Sequence, residues 1–559
     1  MDARMAPLDL TDLKAKASKS GELPKDGDFL KLLEWNDEDR GKVKNIKAIG
    51  DIVGFTGPEF YVRKEILCVL ENFKKFLQVK LCKTSEEFRK EQFIFMGTPG
   101  TGKSCILALI CFYLAIVSDV PVVWHRVEAV GLPVTRLFHQ GKFYEWIDET
   151  GSTYLTIFKT KIDDEFDPAS CWFCLDGWNQ EQLARTNFGP AFTLLATSGQ
   201  FEIKGESGAK QIICLVPYWK LDDMKDLAAK FRNLNESDVA DRYCVSGGSL
   251  RDFLQPKTDA ANAVDAALNK LDAAGAELLL TTRGWSSSKQ VDRIRMLGVQ
   301  DTSNPEHYLK YRDWRSCVTS KMAIEYLVTL MKPEYFQKFV VIAKDLKDPR
   351  LEGVVLEQLF HSYVRNQESV GISYMKYDNQ KRNTHPDPGH ASMRDDMGSV
   401  KFGRSTELGE PLIVKREGET LDAFVGVMER WAKDPDEMDY LIPAFSTCET
   451  IDAVAKWEFK SKTGVAVKRF CLLQLTMADK HKCEASVLSK FAQPFLGEDE
   501  QVCYMALLCG DDEDKSDKNA EQKKIRRMET FRLNPVVIAL ENDKSFPSFP
   551  LYVATHALL

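Results

Sequence analysis

Short apolar runs recur along the middle of the chain, separated by polar or mixed segments. They are four to six residues long, as buried strands are, and cover residues 93–96, 120–125, 154–158, 171–175, 192–196 and 212–216. Just before them, residues 60–76 carry apolar side chains at intervals of three and four, which predicts an amphipathic helix. Strands that alternate with helical segments predict a largely parallel sheet with both faces covered. We therefore expect an α/β core over residues 88–225.

After the core, the strand pattern stops and helical periodicity takes over, for example over residues 260–279 and 319–331. This pattern favours an α-helical lid. A polar stretch rich in Gly and His, residues 365–415, predicts a long loop or an irregular insertion. Beyond it, a helix is predicted at residues 421–431, and strands at 451–458, 469–475 and 501–508. These elements indicate a second, smaller α/β domain.

Composition limits the partners and the compartment. At 559 residues the chain exceeds the size of one hydrophobic core, and its 75 Lys plus Arg against 83 Asp plus Glu exclude a global basic field. The 14 cysteines are scattered, mostly in apolar runs, as in a reduced intracellular protein, and the single CxxC of Cys171 and Cys174 lacks a second pair for zinc. No apolar run reaches the roughly 20 residues of a membrane span, and no signal peptide is visible. We expect an intracellular protein that does not enter a membrane.

Residues 97–104 read GTPGTGKS and satisfy the P-loop pattern GxxxxGK[ST] between a predicted strand and an apolar helix. Glycines let the backbone N–H groups point at phosphate oxygens, while Lys103 reaches the β and γ phosphates and Ser104 binds Mg²⁺. ATP with Mg²⁺ is therefore the expected cofactor. The expected nucleotide-binding residues are Gly97, Thr98, Pro99, Gly100, Thr101, Gly102, Lys103, Ser104 and Cys105.

Three further residues fit roles around that loop. Asp176 ends the run 171–175 and supplies the acid that a P-loop needs for Mg²⁺; Gly177 then stands where many P-loop ATPases carry a glutamate base. Ser198 follows the strand 192–196 at the place of a residue that senses the γ-phosphate. Arg251 follows a glycine pair, where a lid could aim it at the phosphates. Because Gly177 cannot act as this base, we expect hydrolysis to be slow or to use Glu181 or another group.

The order of these motifs resembles one family. GTPGTGKS, the strand ends LDG and ATSG, the element VPYWKLDDM around Trp219 and the segment YCVSGGSLR ending at Arg251 resemble the NTPase module of crinkler effectors and retrotransposon hot spot proteins. The resemblance implies an AAA-like ATPase core and a lid that starts with a sensor arginine. It covers residues 88–260 well and residues 350–485 loosely.

That family often carries a C-terminal domain of the restriction-endonuclease type, and similar residues occur here. Glu357 falls on a predicted helix, and Asp452 and Gln474 fall on neighbouring strands. By resemblance, Asp452 and Gln474 are the candidate Mg²⁺ ligands and Glu357 a third. Thr476 stands where the fold usually has its lysine, which leaves Lys456, Lys460 or Lys480 as substitutes or cleavage absent. The LFLAK translocation signature of many crinklers is missing.

The sequence thus predicts an N-terminal arm (1–58), a P-loop NTPase core (59–225), a helical lid (226–345) and a nuclease-like α/β domain (346–559). The leading hypothesis is an ATPase that controls a nuclease-like domain acting on or binding DNA or chromatin in a nucleus. A nucleotide-switched interaction protein with a non-cleaving C-terminal domain stays open, as does a small-molecule kinase. A homo-oligomer is compatible with an AAA-like core.

Overall fold

The computed structural model of the protein describes most of the chain. The described residues are 10–81, 91–127, 131–159, 167–168, 170–179, 181–183, 191–198, 210–231, 234–281, 293–330, 336–345, 349–365, 372–377, 398–401, 412–445, 450–460, 466–496, 502–509, 520–535 and 549–556. The acidic run 511–514, which the sequence assigns to a solvated loop, lies outside them. Two compact units divide the chain: residues 1–323 with 345–347, and residues 324–344 with 348–559. The boundary between the units, at residues 323 and 324, falls earlier in the chain than residue 345, where the predicted lid ends.

The first unit is built around an eight-stranded sheet. Its eight strands are β1 (Lys19–Glu22), β4 (Glu91–Met96), β5 (Val122–Arg126), β6 (Val134–His139), β7 (Lys142–Ile147), β8 (Trp172–Asp176), β9 (Leu194–Thr197) and β10 (Lys210–Leu215). Two further strands, β2 (Val43–Asn45) and β3 (Glu59–Tyr61), form a separate small pair. The order in the large sheet is β1-β7-β6-β5-β8-β9-β4-β10. The five strands from β5 to β10 in this order are parallel, as predicted, and the three at the other edge are antiparallel.

Helices cover this sheet and continue beyond it. They are α1 (Leu10–Ala15), α2 (Lys47–Val53), α3 (Lys64–Leu81), α4 (Lys103–Ile116), α5 (Ser152–Lys159), α6 (Leu221–Phe231), α7 (Glu236–Ser246), α8 (Leu250–Leu254), α9 (Lys257–Leu268) and α10 (Ala273–Thr281). The next helix, α11 (Lys321–Thr329), begins in the first unit and continues into the second. Short 3₁₀ helices lie at Asp28–Glu34, Asp37–Asp39, Pro305–Tyr308 and Tyr311–Asp313. Helix α3 confirms the amphipathic helix predicted from residue 60 onward.

One predicted strand is a helix. Residues 154–158 belong to α5, because the Asp148 carboxylate accepts a hydrogen bond from the Tyr154 amide and from the Ser152 hydroxyl at the start of that helix. Tyr154 and Ile157, three positions apart, then share the buried face. The hairpin of β6 and β7 is not predicted, because its apolar positions are interrupted by polar ones and form no continuous run.

The segment predicted as an N-terminal arm is part of the fold. β1 pairs with β7 at the edge of the sheet, and Phe29 and Leu32 are fully buried in the main core. Two further strands, β11 (Arg295–Val299) and β12 (Trp314–Val318), form a hairpin within the region where strands were expected to stop. The apolar run of β11 is short, from Met296 to Val299, and it follows the buried Arg295.

The second unit holds another eight-stranded sheet. Its strands are β13 (Ile372–Lys376), β14 (Gly398–Lys401), β15 (Val414–Glu417), β16 (Tyr440–Pro443), β17 (Ala453–Lys460), β18 (Ala466–Thr476), β20 (Val502–Leu508) and β22 (Leu551–His556), while β19 (Lys480–Cys483) and β21 (Arg532–Pro535) form a separate pair. Their order is β14-β13-β22-β20-β18-β17-β16-β15. The strands predicted at 451–458, 469–475 and 501–508 are confirmed, and β13 to β15 replace part of the loop predicted at 365–415.

The helices of the second unit include α12 (Phe336–Asp345), α13 (Pro349–Arg365), α14 (Leu421–Lys433), α15 (Ala485–Ala492) and α16 (Ala520–Thr530), with a 3₁₀ turn at Gln493–Phe495. The predicted helix at 421–431 is confirmed by α14, which buries Trp431 against Phe470 and Phe495. Within the described part of the chain, no helix is both long and apolar enough to cross a bilayer. The described cysteines, Cys171 and Cys174 among them, form no disulfides.

Candidate functional sites

The P-loop connects β4 to α4, as its motif predicts. Gly102 caps the helix with a left-handed φ of 99°, and Gly100 has a φ of 80°. A Cβ atom on Gly97 would lie 2.4 Å from the Val216 carbonyl oxygen, and one on Gly100 would lie 2.2 Å from Ser249 Oγ. Gly97 is therefore required by space, Gly102 by its backbone conformation and Gly100 by both.

Inside the loop, two donors converge on one carbonyl. Lys103 Nζ donates to the Thr98 carbonyl oxygen at 2.7 Å, and Thr101 Oγ1 donates to the same oxygen at 3.0 Å. Both threonine side chains are fully buried. The lysine amine is thus held over the loop on which the motif places the phosphates.

Ser104 and Asp176 meet as the sequence predicts. Ser104 Oγ donates to Asp176 Oδ1 at 2.8 Å, joining the first turn of α4 to the end of β8. Asp176 is almost completely buried, and the other oxygen of its carboxylate lies 3.4 Å from a guanidinium nitrogen of Arg126. Arg126 ends β5 directly beside Asp176 in the parallel register, and its guanidinium lies over the Phe55 ring.

Arg126 is a residue that the sequence argument missed. A single arginine at the end of an apolar run is not part of any sequence motif. Only the order of the strands in the sheet places Arg126 beside Asp176. Its positive charge stabilises a buried carboxylate.

Gly177 has a structural reason to be glycine. Its φ is 81°, and a Cβ atom there would lie 2.4 Å from the Val127 carbonyl oxygen. The Val127 amide in turn donates to the Asp176 carbonyl at 3.0 Å, which keeps that carbonyl in place. A glutamate cannot be accommodated at this position without moving the ends of β5 and β8.

The other predicted residues of this site lie at the same edge of the sheet or beside the loop. Ser198 is half-buried and directly follows β9, whose Ala196 is the register partner of Asp176. Arg251 is exposed on α8 next to Leu250, whose amide donates to the Gly100 carbonyl at 3.1 Å. Glu181 is exposed in a short helical segment, residues 181–183, after β8.

The pKa of the Cys105 thiol depends on the charged side chains around the start of α4. Desolvation raises its pKa to about 11, while the positive charges of Arg126, Arg251 and Lys103 oppose that shift. Asp176 acts in the same direction as desolvation. Arg251 and Lys103 therefore both contribute positive charge around this sulfur atom.

A second missed residue, Arg63, ties this site together. It is completely buried, donates to the carbonyl oxygens of Thr101, Pro217 and Tyr218, and lies with its guanidinium 4.7 Å from the centre of the Trp219 ring. The segment around Trp219, which the resemblance singled out, is thus fixed to the P-loop by one side chain. A buried arginine surrounded by carbonyl oxygens is a positioning group.

In the second unit, the predicted acid and amide come together. Asp452 directly precedes β17, Gln474 lies on the antiparallel strand β18, and Gln474 Nε2 donates to Asp452 Oδ2 at 2.7 Å. The same carboxylate oxygen accepts the Leu475 amide at 2.6 Å. Gln474 is 5% exposed, and its Oε1 accepts no hydrogen bond from the described residues. A buried carbonyl oxygen without a donor suits a cation.

Glu357 lies on α13, as predicted. Burial raises the pKa of the Tyr440 hydroxyl well above its usual value, and the carboxylates of Asp452 and Glu357 raise it further. Glu357 also lies 3.6 Å from His361 Nε2 one helical turn later, and His361 Nδ1 lies 2.9 Å from the Tyr440 hydroxyl oxygen. His361 and Tyr440 are buried partners that the sequence argument did not name.

The lysines considered as substitutes at Thr476 differ in position. Lys456 Nζ donates to the Pro435 carbonyl oxygen and to Asp436, so it is engaged elsewhere. Lys480 is exposed on β19, just after the end of β18, and the side chain of Lys460 lies outside the described residues. In the part of the chain that the structure describes, no three His, Cys, Asp or Glu side chains converge as a metal cluster.

Comparisons with known proteins point to a solved structure rather than to a family. No protein-family model matches the sequence, and no curated protein matches it either. Among solved structures, the chain is similar to the Holliday junction branch migration motor RuvB of Thermotoga maritima, with 15% sequence identity and a TM-score of 0.20. That match covers 38% of this chain and 70% of the RuvB chain.

Proposed function

We propose that the protein binds and hydrolyses ATP with Mg²⁺ at the P-loop of its first unit. The observation that carries this proposal is the 2.8 Å hydrogen bond between Ser104 and Asp176. These are the two groups that a P-loop protein uses to hold Mg²⁺, and folding brings them together from separate elements.

The residues present fit a nucleotide with its metal. Two left-handed glycines expose backbone N–H groups at the start of α4, where the helix dipole favours anions. A Cβ atom on Gly102 would meet nothing within 4 Å, so this part of the loop faces open space. Lys103 would bind the β and γ phosphates, and Ser104 and Asp176 would hold Mg²⁺.

Bound Mg²⁺ would neutralise phosphate charge and polarise the phosphoryl group. The protein's own residues do the positioning. Lys103 turns from the Thr98 carbonyl toward the phosphates, and Arg251 on the lid supplies a second positive charge. Arg63 holds the P-loop and the Trp219 segment in one arrangement, which couples nucleotide binding to the start of the lid.

Hydrolysis in this account is slow. Gly177 excludes a glutamate from the place where a water-activating base is commonly found, and Glu181 is the next acid along the chain after Asp176. A slow ATPase acts as a switch, because the bound nucleotide lasts long enough to hold the lid in one state.

For the second unit, we propose a nuclease-like domain that acts on or binds DNA under control of the ATPase. Asp452, Gln474 and Glu357 would form its Mg²⁺ site, with Gln474 Oε1 as the neutral ligand. This proposal includes an AAA-like core in the first unit and a lid formed by residues 226–345. It also includes a role in a nucleus of the crinkler or retrotransposon hot spot type. Self-assembly of the core belongs to it as well.

Plasmid nicking tests the nuclease half. Purified protein with Mg²⁺ is expected to nick supercoiled plasmid, with a rate that changes between ATP and ADP, and Asp452→Ala is expected to abolish nicking. Lys433→Ala, an exposed change on another element, is the matched control. Absence of nicking by the parent protein with ATP, with ADP and without nucleotide would refute cleavage.

A second candidate function is a nucleotide-switched interaction protein that does not cut. Thr476 in the place of the usual lysine and Gly177 after Asp176 favour it. Tight ATP binding with negligible turnover, together with DNA binding without nicking, would select this function over the first.

A further inference from the structure

The helix α16 presents a basic face in the second unit. Its sequence, AEQKKIRRMET, places four positive side chains within five positions, Lys523 to Arg527. Met528 is buried and Ile525 packs against the core, so the apolar side faces inward. Arg526 is exposed and Lys524 is half-buried.

Arg527 attaches this helix to the ends of two strands. Its guanidinium donates to the Met477 carbonyl oxygen at 2.7 Å and to the Cys509 carbonyl oxygen at 2.9 Å. Met477 directly follows β18 and Cys509 directly follows β20, whose ends are linked by the bond from the Cys509 amide to the Thr476 carbonyl. The helix is therefore fixed at the carboxyl end of these parallel strands.

The acidic site lies at the same end. Gln474 is two residues before the end of β18, and Asp452 accepts the amide of Leu475. The Cys509 thiol is close enough to both groups of charges to respond to each: burial raises its pKa to about 12, Asp452 and Glu357 add to that, and Arg527 opposes it. The basic helix thus borders the carboxylates of the candidate Mg²⁺ site.

A second basic element adjoins the helix. Lys480 on β19 is exposed and pairs in register with Arg532 on β21. The Arg532 guanidinium donates to the carbonyl oxygens of Glu529, Thr530 and Phe531 at the end of α16. Within the described residues, Lys480, Lys524 and Arg526 form no ion pair with a carboxylate.

We propose that Lys480, Lys524 and Arg526 bind the sugar-phosphate backbone of double-stranded DNA and hold it beside Asp452. The chain as a whole has a net charge of −8, so this surface is a local exception to its charge. Basic side chains beside a candidate Mg²⁺ site suit a nucleic-acid backbone. The metal would bind the phosphate to be cleaved, and the basic side chains would bind the flanking phosphates. The proposal rests on the nuclease-like function proposed above for this unit.

Fluorescence anisotropy tests the surface independently of cleavage. The probe is a labelled 20-base-pair DNA duplex, measured with the full chain carrying Asp452→Ala so that it stays intact. The test variant combines Lys480→Gln, Lys524→Gln and Arg526→Gln. The control combines Lys376→Gln, Lys433→Gln and Lys468→Gln, three exposed lysines on β13, α14 and the start of β18. Lys468 lies eight residues, or about 26 Å, along β18 from Thr476.

The test variant is expected to bind duplex about tenfold more weakly or worse, while the control binds like the parent. The slope of log K against log salt should fall in magnitude by up to about 3, near 0.9 for each phosphate that the protein no longer neutralises. Circular dichroism melting should show both variants folded.

Equal duplex affinity and equal salt slope in the test variant and the control would overturn the proposal. A preference for a single-stranded RNA of the same length would overturn the assignment to duplex DNA. If the test variant loses binding but the parent never nicks plasmid, this surface stands and cleavage fails. If the same three glutamine changes, made in the chain that keeps Asp452, leave nicking as fast as in the parent, cleavage stands and this surface fails.

Discussion

The Ser104 hydroxyl donates a hydrogen bond to Asp176 across 72 positions of sequence, and Arg126 lies on the other side of the same carboxylate. One buried carboxylate is thus shared between a P-loop hydroxyl and a fixed positive charge. In the proposed function Ser104 and Asp176 would hold Mg²⁺ here, while Arg126 stabilises the carboxylate in its absence.

Removing the Ser104 hydroxyl should weaken Mg²⁺-dependent nucleotide binding. We expect Ser104→Ala to raise the Kd for ATP in Mg²⁺ about tenfold, or about 1.4 kcal/mol, because the variant lacks the hydroxyl that would bind Mg²⁺. Titration of a fluorescent ATP analogue measures this, with and without Mg²⁺. Ser118→Ala, beyond the end of α4, is the control, and an unchanged Kd in Ser104→Ala would contradict the assigned metal role.

Arg126 should stabilise the fold through Asp176. Arg126→Gln leaves the carboxylate without its cation, and we expect the free energy of unfolding to fall by about 2 kcal/mol. In the double variant with Asp176→Asn the loss should be smaller than the sum of the single losses. Urea unfolding of the four proteins measures the coupling, and strict additivity would show that the two side chains do not interact.

Gly177 can be tested against a glycine of the same conformation. Gly54 has a φ of 78°, close to the 81° of Gly177, but a Cβ atom there meets nothing within 4 Å. Gly54→Ala should cost about 1 kcal/mol of stability from backbone strain alone. Gly177→Ala should cost more, because its Cβ atom meets the Val127 carbonyl, and Gly177→Glu should not increase ATP turnover. Equal losses in the two alanine variants would remove the steric argument.

His125 should make the stability of the first unit depend on pH. It is completely buried, with Nδ1 2.8 Å from Thr135 Oγ1, and burial lowers its pKa to about 4 although Asp148 opposes the shift. The unfolded chain binds this proton near pH 6.5 and the folded chain only near 4. Stability is therefore complete above pH 6.5 and falls as the pH drops toward 4, by about 3 kcal/mol in all.

Urea unfolding between pH 7 and pH 4 measures this dependence. His125→Asn keeps a polar atom near the Nδ1 position but does not titrate in this range. We expect its stability to change less over the same interval, although its value at pH 7 is lower than that of the parent. An identical pH dependence in the two proteins would show that His125 does not carry the effect.

The sequence predicts the P-loop well because that motif is local: the glycines, Lys103 and Ser104 occupy one strand-to-helix turn. Asp176 follows from the same logic, since it ends an apolar run. Arg126 and Arg63 could not be predicted, because their partners are set by strand order and by carbonyl groups far along the chain. The helix at Ser152–Lys159 was missed for a related reason, since the Asp148 carboxylate that starts it lies outside the apolar run.

In the second unit, the sequence predicted the strands and the residues but not their surroundings. Asp452 and Gln474 contact each other because β17 and β18 pair antiparallel with Ala453 opposite Leu473, which brings the preceding Asp452 beside Gln474. His361 and Tyr440 could not be predicted, because a single His on a helix and a single Tyr on a strand form no sequence motif. Only the structure shows that their side chains lie 2.9 Å apart. The basic helix α16 has the pattern of a solvated charge run, and only its anchoring at Met477 and Cys509 places it beside the candidate Mg²⁺ site.

Steady-state ATP turnover of the parent protein and of Lys103→Ala tests the central claim most directly. Phosphate release is followed at saturating ATP in Mg²⁺, with Lys74→Ala, an exposed change on α3, as the control. The account predicts slow turnover by the parent and by the control, and loss of turnover in Lys103→Ala. Turnover by Lys103→Ala equal to that of the parent would contradict the assignment of the P-loop as an ATPase site.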